Sequence, residues 1–400
     1  MKALLLPFAP GPGMAHVGAC LAVGEELAAR GHDVVLGYGG SRPELLGGGA
    51  VRVVEADEIP YERTASRPRI DHWYPDSADL LARVQADLEL IAGERPDVVV
   101  TDARIPAQIA AQASGVPHVS INHFLPNTGM TAWTTPRARL RALRRPAHTL
   151  SRLPQLARGD AHGATRLGSR VNEVRASLGL DPATSLFAGQ ITLATTTPLL
   201  DPAPRLPAAW RYVGPITWSV PAGAAPPDRR GGRPFVYVSQ GSIGAPGRLR
   251  AIARELSREP VEGMIATMGA CDPAELRSLA PNLDAANCVD NDAWLRAADV
   301  AVLHGGHLTV SAAACAGVPV IVLPDGRDHW AWAARVETFG TGIALRSPRT
   351  PGAIRRAVRR VLREPRFRER AAELARHLAG WDGRSLAAAA IEDAVDRVAA

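Results

Sequence analysis

Lysine, methionine and aromatic residues are scarce in this chain of 400 residues. Lys2 is the sole lysine, and Phe, Trp and Tyr together make up 5%. Arg, Ala, Gly and Pro are abundant instead, which is the codon signature of a GC-rich bacterial genome and says nothing of function. No run of 18 apolar residues exists, so no transmembrane helix is expected. The stretch Met1-Lys2-Ala3-Leu4-Leu5-Leu6-Pro7-Phe8 lacks a long apolar region and a small-residue cleavage site, and reads as a buried strand rather than a signal peptide. Cys20, Cys271, Cys288 and Cys315 are scattered without paired metal-ligand spacing, which points to buried reduced thiols and a cytoplasmic protein. There is no H-E-x-x-H spacing and no internal repeat, and no metal site is expected.

What is present is apolar and basic. An apolar content of 46% over this length can fill two cores, hence two domains. The net charge is +6. Much of the positive charge lies in two arginine clusters, Arg137 to Arg158 and Arg355 to Arg370. Neither interleaves the aromatics of a base-stacking platform, so solvated helix faces are expected rather than a nucleic-acid surface. Leu140, Leu143 and Leu150 in the first cluster leave a weak membrane contact open, but no stable insertion.

Apolar runs alternate with helical patterns along the chain. Ala3 to Phe8, Asp33 to Gly37, Asp97 to Thr101 and His118 to Ile121 read as strands. Cys20 to Arg30, Ala78 to Ala92 and Pro106 to Ser114 read as helices. The same alternation restarts at Phe235-Val236-Tyr237-Val238, continues through Ala301 to Leu303 and Val320 to Leu323, and ends in helices from about Pro351 to Ala400. Such patterning predicts parallel sheets with helices on both faces. Residues 1–215 form the first expected domain and 234–400 the second. Residues 216–233, rich in Pro, Gly, Ala and Arg, read as the linker. Ligands of such sheets bind at the carboxyl ends of the strands, here expected to face a cleft.

Two stretches carry chemistry at those ends. Val300 to Leu303 runs into His304-Gly305-Gly306-His307-Leu308-Thr309 and then a helix pattern ending at Gly317. Glycines that let backbone approach a ligand, followed by a helix start with its N–H groups and positive dipole end, make an anion site, to which His304 and Thr309 add side-chain hydrogen bonds. An ordinary strand-to-helix turn is the alternative. In the other stretch, a Gly/Pro loop after the first strand brings His16 to the sheet edge, where an imidazole can take a proton from a hydroxyl. Asp102 follows the strand Val98 to Thr101. It is positioned either to orient His16 or to cap the next helix.

The order of these pieces resembles the GT-B glycosyltransferases of the macrolide and UDP-glucuronosyl type (family 1). His304-Gly305-Gly306-x-x-Thr309, then Gly317-Val318-Pro319, then Pro324 and the pair Asp328-His329 are similar to that family's donor signature, with His329 in the glutamine place. Ala15-His16 resembles the loop of its general base, and Asp102 with Gly115-Val116-Pro117 resembles the segment of the base-orienting aspartate. Ser239-Gln240-Gly241-Ser242 resembles its Val-Ser-Phe-Gly-Ser turn. Cys288 to Asn291 stands where the family pairs with the nucleotide base.

The resemblance implies a GT-B fold, two doubly wound Rossmann-like domains with C-terminal helices closing the chain. The last helix is a candidate to pack back on the first domain. It implies His16 and Asp102 as the catalytic pair. Ser239, Gly241, Ser242, Val289, Asn291, His304, Gly305, Gly306, Thr309, Asp328 and His329 are implied donor contacts. Asp328 and His329 would face the sugar, and the changed second member points to an altered sugar, deoxy or amino. Trp330 and Trp332 beside them either wall that pocket or pack on the sheet. The implied reaction is inverting and metal-independent, with a nucleotide sugar as co-substrate and no cofactor. The acceptor is a small natural-product aglycone, contacted by elements between Asn127 and Arg170. A monomer or a homodimer is expected. Relatives that use UDP carry a ribose-binding Glu where this chain has Ala312, so dTDP is favoured over UDP. Two other readings remain: a non-catalytic activating partner of another glycosyltransferase, and a sugar-nucleotide epimerase.

Overall fold

The structure is a computed structural model that describes residues 1–47, 49–66, 72–123, 166–183, 185–203, 206–220, 226, 232–242, 246–325, 327–345 and 351–399. Most of the expected acceptor elements, the first arginine cluster and most of the proline- and glycine-rich linker lie outside the described residues. The chain divides into two compact units: Met1–Pro43, Gly48–Val213 and Arg384–Ala400 in one, Glu44–Gly47 and Gly214–Gly383 in the other.

The first unit is built on a sheet of β1 (Lys2–Pro7), β2 (Asp33–Tyr38), β3 (Arg52–Glu55), β4 (Val98–Asp102), β5 (His118–Asn122), β6 (Ile191–Ala194) and β7 (Trp210–Tyr212). The order is β3-β2-β1-β4-β5-β6-β7, and every pairing is parallel. Helices α1 (Ala15–Ala29), α2 (Tyr61–Ser66), α3 (Ser77–Glu94), α4 (Ile105–Ala113) and α5 (Arg166–Ser177) accompany it. Leu4, Leu6 and Val99 from the sheet pack with Leu80 and Val84 of α3 and Ile105 and Ile109 of α4 in one core. Truncating one such leucine to alanine costs about 2–5 kcal/mol. α3 is well bounded: the Asp76 carboxylate accepts from the Asp79 N–H at 2.8 Å, and Arg95 ends the helix in the left-handed region at φ 49.

The second unit repeats the plan with β8 (Phe235–Ser239), β9 (Glu262–Ala266), β10 (Leu283–Ala286), β11 (Val300–Leu303), β12 (Val320–Val322) and β13 (Gly342–Ala344). All are parallel in the order β10-β9-β8-β11-β12-β13. Its helices are α6 (Pro246–Leu256), α7 (Pro273–Leu279), α8 (Asn291–Ala297), α9 (His307–Cys315), α10 (Arg327–Phe339), α11 (Ala353–Arg363) and α12 (Pro365–Leu378). The last helix, α13 (Gly383–Ala399), lies almost wholly in the first unit. In each sheet the strand order reverses once, between β1 and β4 and between β8 and β11. These are the switch points where doubly wound sheets bind ligands.

The parallel-sheet plan read from the sequence is present in both units. Several local expectations shift. α1 opens at Ala15 and not near Cys20, because the loop glycines end at Gly13, which brings His16 into the first turn. α9 opens at His307, with Gly306 extended as its N-cap, so Thr309 lies inside the first turn. Ile216, Trp218 and Val220, assigned to the linker, are buried. Cys20 is buried as expected, but Cys271 and Cys288 are only half-buried and Cys315 is exposed on α9. Arginines of the second cluster are engaged in surface ion pairs: Arg360 and Arg366 with Glu364, Arg368 with Asp299 and Arg370 with Glu373. No described helix is long and apolar enough to cross a membrane.

Candidate active site

Four neighbouring strands of the first sheet deliver polar side chains at their carboxyl ends. Asp102 closes β4, in register with Pro7 of β1, and the Phe8 N–H donates to the Asp102 carbonyl at 2.8 Å. His16 stands in the first turn of α1, the helix that follows β1. His123 and Thr195 are the residues just past β5 and β6, whose ends Asn122 and Ala194 are paired in register. Asp102 is 1% exposed, yet both its carboxylate oxygens are bonded. His16 Nδ1 lies 2.8 Å from Oδ1, and His123 Nε2 lies 2.9 Å from Oδ2. Burial alone would push the Asp102 carboxyl up; His123 and then His16 outweigh burial and hold it well below the usual carboxylate range.

An ionised carboxylate only accepts, so both imidazoles donate to it. Neutral His16 is thereby fixed as the Nδ1–H tautomer, with the Nε2 lone pair as its basic site. Phe8 sits edge-on to the His16 ring at 6.1 Å between centroids and is itself stacked on Trp73 at 4.8 Å. The helix-capping alternative for Asp102 does not hold: the N-cap of α4 is Arg104, and no side chain caps it. The ligand atoms of His16, Asp102 and His123 all lie within 4.8 Å of one another, close enough to hold a metal ion. This grouping is invisible in the linear sequence. The two carboxylate oxygens serve different nitrogens, which is the pattern of two hydrogen bonds.

Below this row lies a buried ion network. Arg104 donates to both Asp87 oxygens, at 3.0 and 2.8 Å, and to Glu58 at 3.0 Å. Burial disfavours the Arg104 charge, but Asp87 and Glu58 outweigh burial and keep it protonated. Between Asp102 and Arg104, Ala103 takes a left-handed φ of 57, a strained turn for a non-glycine residue.

The second site forms at the switch point of the other sheet. His304 follows β11, and its ring lies against the backbones of Gly241 and Gly306. A Cβ on Gly241 would stand 2.7 Å from the ring, and one on Gly306 would stand 2.4 Å from Nε2. Gly241 has a φ of +75. The glycines expected to admit a ligand thus also make room for the imidazole. No side chain caps α9 at Gly306. Ser239 is buried at the end of β8, and the Gly241 N–H donates to its hydroxyl at 3.4 Å. Ser242 follows directly. Ala312 is buried on α9.

His329, on α10, packs edge-on to His304 at 4.7 Å and bonds to Asp325 at 2.5 Å through Nδ1. Arg248 of α6 donates to the other Asp325 oxygen at 2.8 Å. Burial pushes the Asp325 carboxyl up, but the His329 hydrogen bond and then Arg248 bring it down to about 2. The side chain of Asp328 lies outside the described residues. Trp332 is buried, with the Arg335 guanidinium 4.9 Å over its ring, whereas Trp330 is 36% exposed. Asn291 accepts from the buried Tyr237 hydroxyl through Oδ1, so that atom is already engaged. Asp290 caps α8, accepting from the Asp292 and Ala293 N–H groups at 3.0 and 3.1 Å, and it also accepts from the Ser219 hydroxyl at 2.8 Å. Val289 is buried beside it.

His123, Thr195, Glu58, Arg248 and Asp325 escape the sequence reading. One signal was available for His123 and Asp325: each follows a readable strand by a residue or two.

The model of the erythromycin biosynthesis protein CIII-like family, C-terminal domain, matches residues 256–381. A PGL/p-HBAD biosynthesis rhamnosyltransferase of Mycobacterium bovis (strain BCG / Pasteur 1173P2) is 29% identical over 380 residues, 90% of this chain and 81% of its own length. The 4'-demethylrebeccamycin synthase of Lentzea aerocolonigenes is 36% identical over 200 residues, 48% of this chain and 45% of its own. Among solved structures, the calicheamicin glycosyltransferase CalG4 matches with a TM-score of 0.74 and 24% identity, covering 100% of this chain and 99% of its own. The spinosyn rhamnosyltransferase SpnG, complexed with thymidine diphosphate, matches with a TM-score of 0.70 and 20% identity, covering 98% of this chain and 100% of its own.

Two parallel doubly wound units and these likenesses define a glycosyltransferase of the GT-B fold. The chain is similar to glycosyltransferases of natural-product biosynthesis. It is an enzyme, a glycosyltransferase, and the helper and epimerase readings are set aside.

Proposed function

We propose that this enzyme moves a sugar from a nucleoside diphosphate donor, dTDP before UDP, to a hydroxyl of a small acceptor such as a polyketide or macrolide aglycone. His16 Nε2 takes the proton of the acceptor hydroxyl. The acceptor oxygen attacks the anomeric carbon as its bond to the diphosphate breaks, in one inverting displacement without metal or cofactor. Asp102 stabilises the imidazolium that forms. His304, Thr309 and the start of α9 take up the charge on the leaving diphosphate. Asp328 and His329 bind a deoxy or aminodeoxy sugar.

The observation that carries the reading is the 2.8 Å bond from His16 to the Asp102 carboxylate, which fixes the tautomer a base requires. Ala312, buried where a carboxylate would read the ribose 2′-hydroxyl, supports the dTDP preference, as does the thymidine diphosphate bound by the solved SpnG. Thiols without disulfides fit the cytoplasm. Thermal shift with dTDP, UDP and GDP tests the donor class. A nucleotide at 100 times its dissociation constant adds about 2.7 kcal/mol of stability. Stabilisation by dTDP at least equal to that by UDP, with little from GDP, is expected. Stabilisation by GDP alone would refute the assignment.

A further inference from the structure

We propose that His123 is a positioning residue for the base: its imidazole pins the second oxygen of Asp102 and sets how much of that charge His16 receives. The proposal rests on His16 being the base. The chain of contacts is continuous and spans four strand ends. Thr195 Oγ1 lies 2.9 Å from His123 Nδ1, His123 Nε2 lies 2.9 Å from Asp102 Oδ2, and His16 Nδ1 lies 2.8 Å from Asp102 Oδ1. The rings of His16 and His123 are 5.4 Å apart at their centroids.

The chemistry follows from donor and acceptor capacity. Asp102 offers two oxygens, and each receives one N–H. Were His123 apolar, Oδ2 would be left buried without this donor. The carboxylate would then swing toward His16 or crowd its charge onto the one remaining hydrogen bond. Either change misplaces the base or raises its proton affinity. Thr195 completes the arrangement. Its hydroxyl donates to Nδ1 of neutral His123, and it also stands 3.5 Å from the Asn122 carbonyl, to which it can turn. Cys20, a fully buried thiol, also lies close to Asp102.

An internal comparison separates this role from ordinary packing. His118, five residues earlier and also buried, bonds through Nε2 to the Thr101 hydroxyl at 2.8 Å. Among the described residues its ring bonds to no carboxylate. His123 has the same neighbourhood of strands but spends its Nε2–H on the group that holds His16.

The experiment compares wild type with His123→Leu, His123→Gln and His16→Ala. The donor is dTDP-rhamnose, and the acceptor is whichever of a panel of phenolic and polyketide aglycones turns over. Titration with dTDP checks folding of each variant. His123→Leu is expected to lose roughly 10–100-fold in kcat, by analogy with the loss when the outer hydrogen-bond partner of a metal-bound histidine is removed. Its donor KM and dTDP affinity should hold, and the acid limb of its kcat/KM profile should move up by roughly half to one pH unit. His123→Gln, whose amide N–H reaches the same oxygen, should recover most of the rate. Wild-type kcat with an unmoved profile in His123→Leu would overturn the proposal. So would a His123→Gln variant that folds but stays as slow as the leucine variant, which also decides the matter if His123→Leu does not fold. Full activity in His16→Ala would instead sink the base assignment, so the two failures are distinguishable.

Discussion

The Glu58 carboxylate accepts from the backbone N–H of Ala9 at 2.7 Å. Ala9 belongs to the loop between β1 and His16, and Glu58 also accepts from Arg104, two residues beyond Asp102, at 3.0 Å. One buried ion pair therefore ties together the loops that carry the two members of the proposed catalytic pair. Removing Glu58 leaves Arg104 paired with Asp87 and forfeits hydrogen bonds to a charged group, a loss of about 1.5–3 kcal/mol. Glu58→Ala should lose stability on that scale in urea unfolding and lower kcat beyond what the unfolded fraction explains. A variant of unchanged stability and turnover would show that the tie is idle.

The proposed diphosphate site turns on the space around His304. An alanine at Gly306 would put its Cβ 2.4 Å from Nε2 of the ring, so the ring must move. Gly306→Ala should weaken dTDP binding by about as much as His304→Ala, about 1–3 kcal/mol by calorimetric titration. Tight binding in both variants would return this segment to an ordinary turn.

Donor choice is tested at Ala312. Ala312→Glu supplies a carboxylate that gains a partner when the ribose bears a 2′-hydroxyl and is left buried and unpaired when it does not. Competition between matched dTDP- and UDP-sugars should shift toward UDP in the variant. A wild type that uses only UDP-sugars, with no effect of the substitution, would show that the ribose is read elsewhere.

Acid lability is predicted for the core. Burial lowers the His118 pKa to about 4, against an unfolded value near 6.5. Its neutral form therefore favours the folded state fully above about pH 6.5. That contribution fades as the pH falls toward 4, over a span of about 3 kcal/mol. His118→Gln should flatten the fall in urea midpoint between pH 7 and pH 4.5. An equally steep fall in the variant would assign the lability to other groups.

The sequence made legible what is local. Runs such as Ala3 to Leu6 and Val98 to Val100 declare buried strands, and glycine followed by a helix pattern declares the turn at Gly305-Gly306. His16 and Asp102 were readable because each follows such a strand. Long-range partners were not. Nothing local says that β5 lies beside β4 and β6 beside β5, so the links from His123 to Asp102 and Thr195 emerge only with the strand order. Asn291 illustrates the converse. Its position promised a nucleotide contact, while Tyr237, distant in sequence, takes up its carbonyl. Asp325 was overlooked because Asp328 matched the motif, although Asp325 precedes His329 by one helical turn and bonds to it.

The most direct test of the central claim is His16→Ala, followed in parallel by glycosyl-transfer rate and by dTDP titration. The account predicts that the variant binds dTDP as the wild type does and that its transfer rate falls by roughly 10²–10⁴, the contribution of one positioned general base. Transfer at or near the wild-type rate, with the same pH profile, would contradict it.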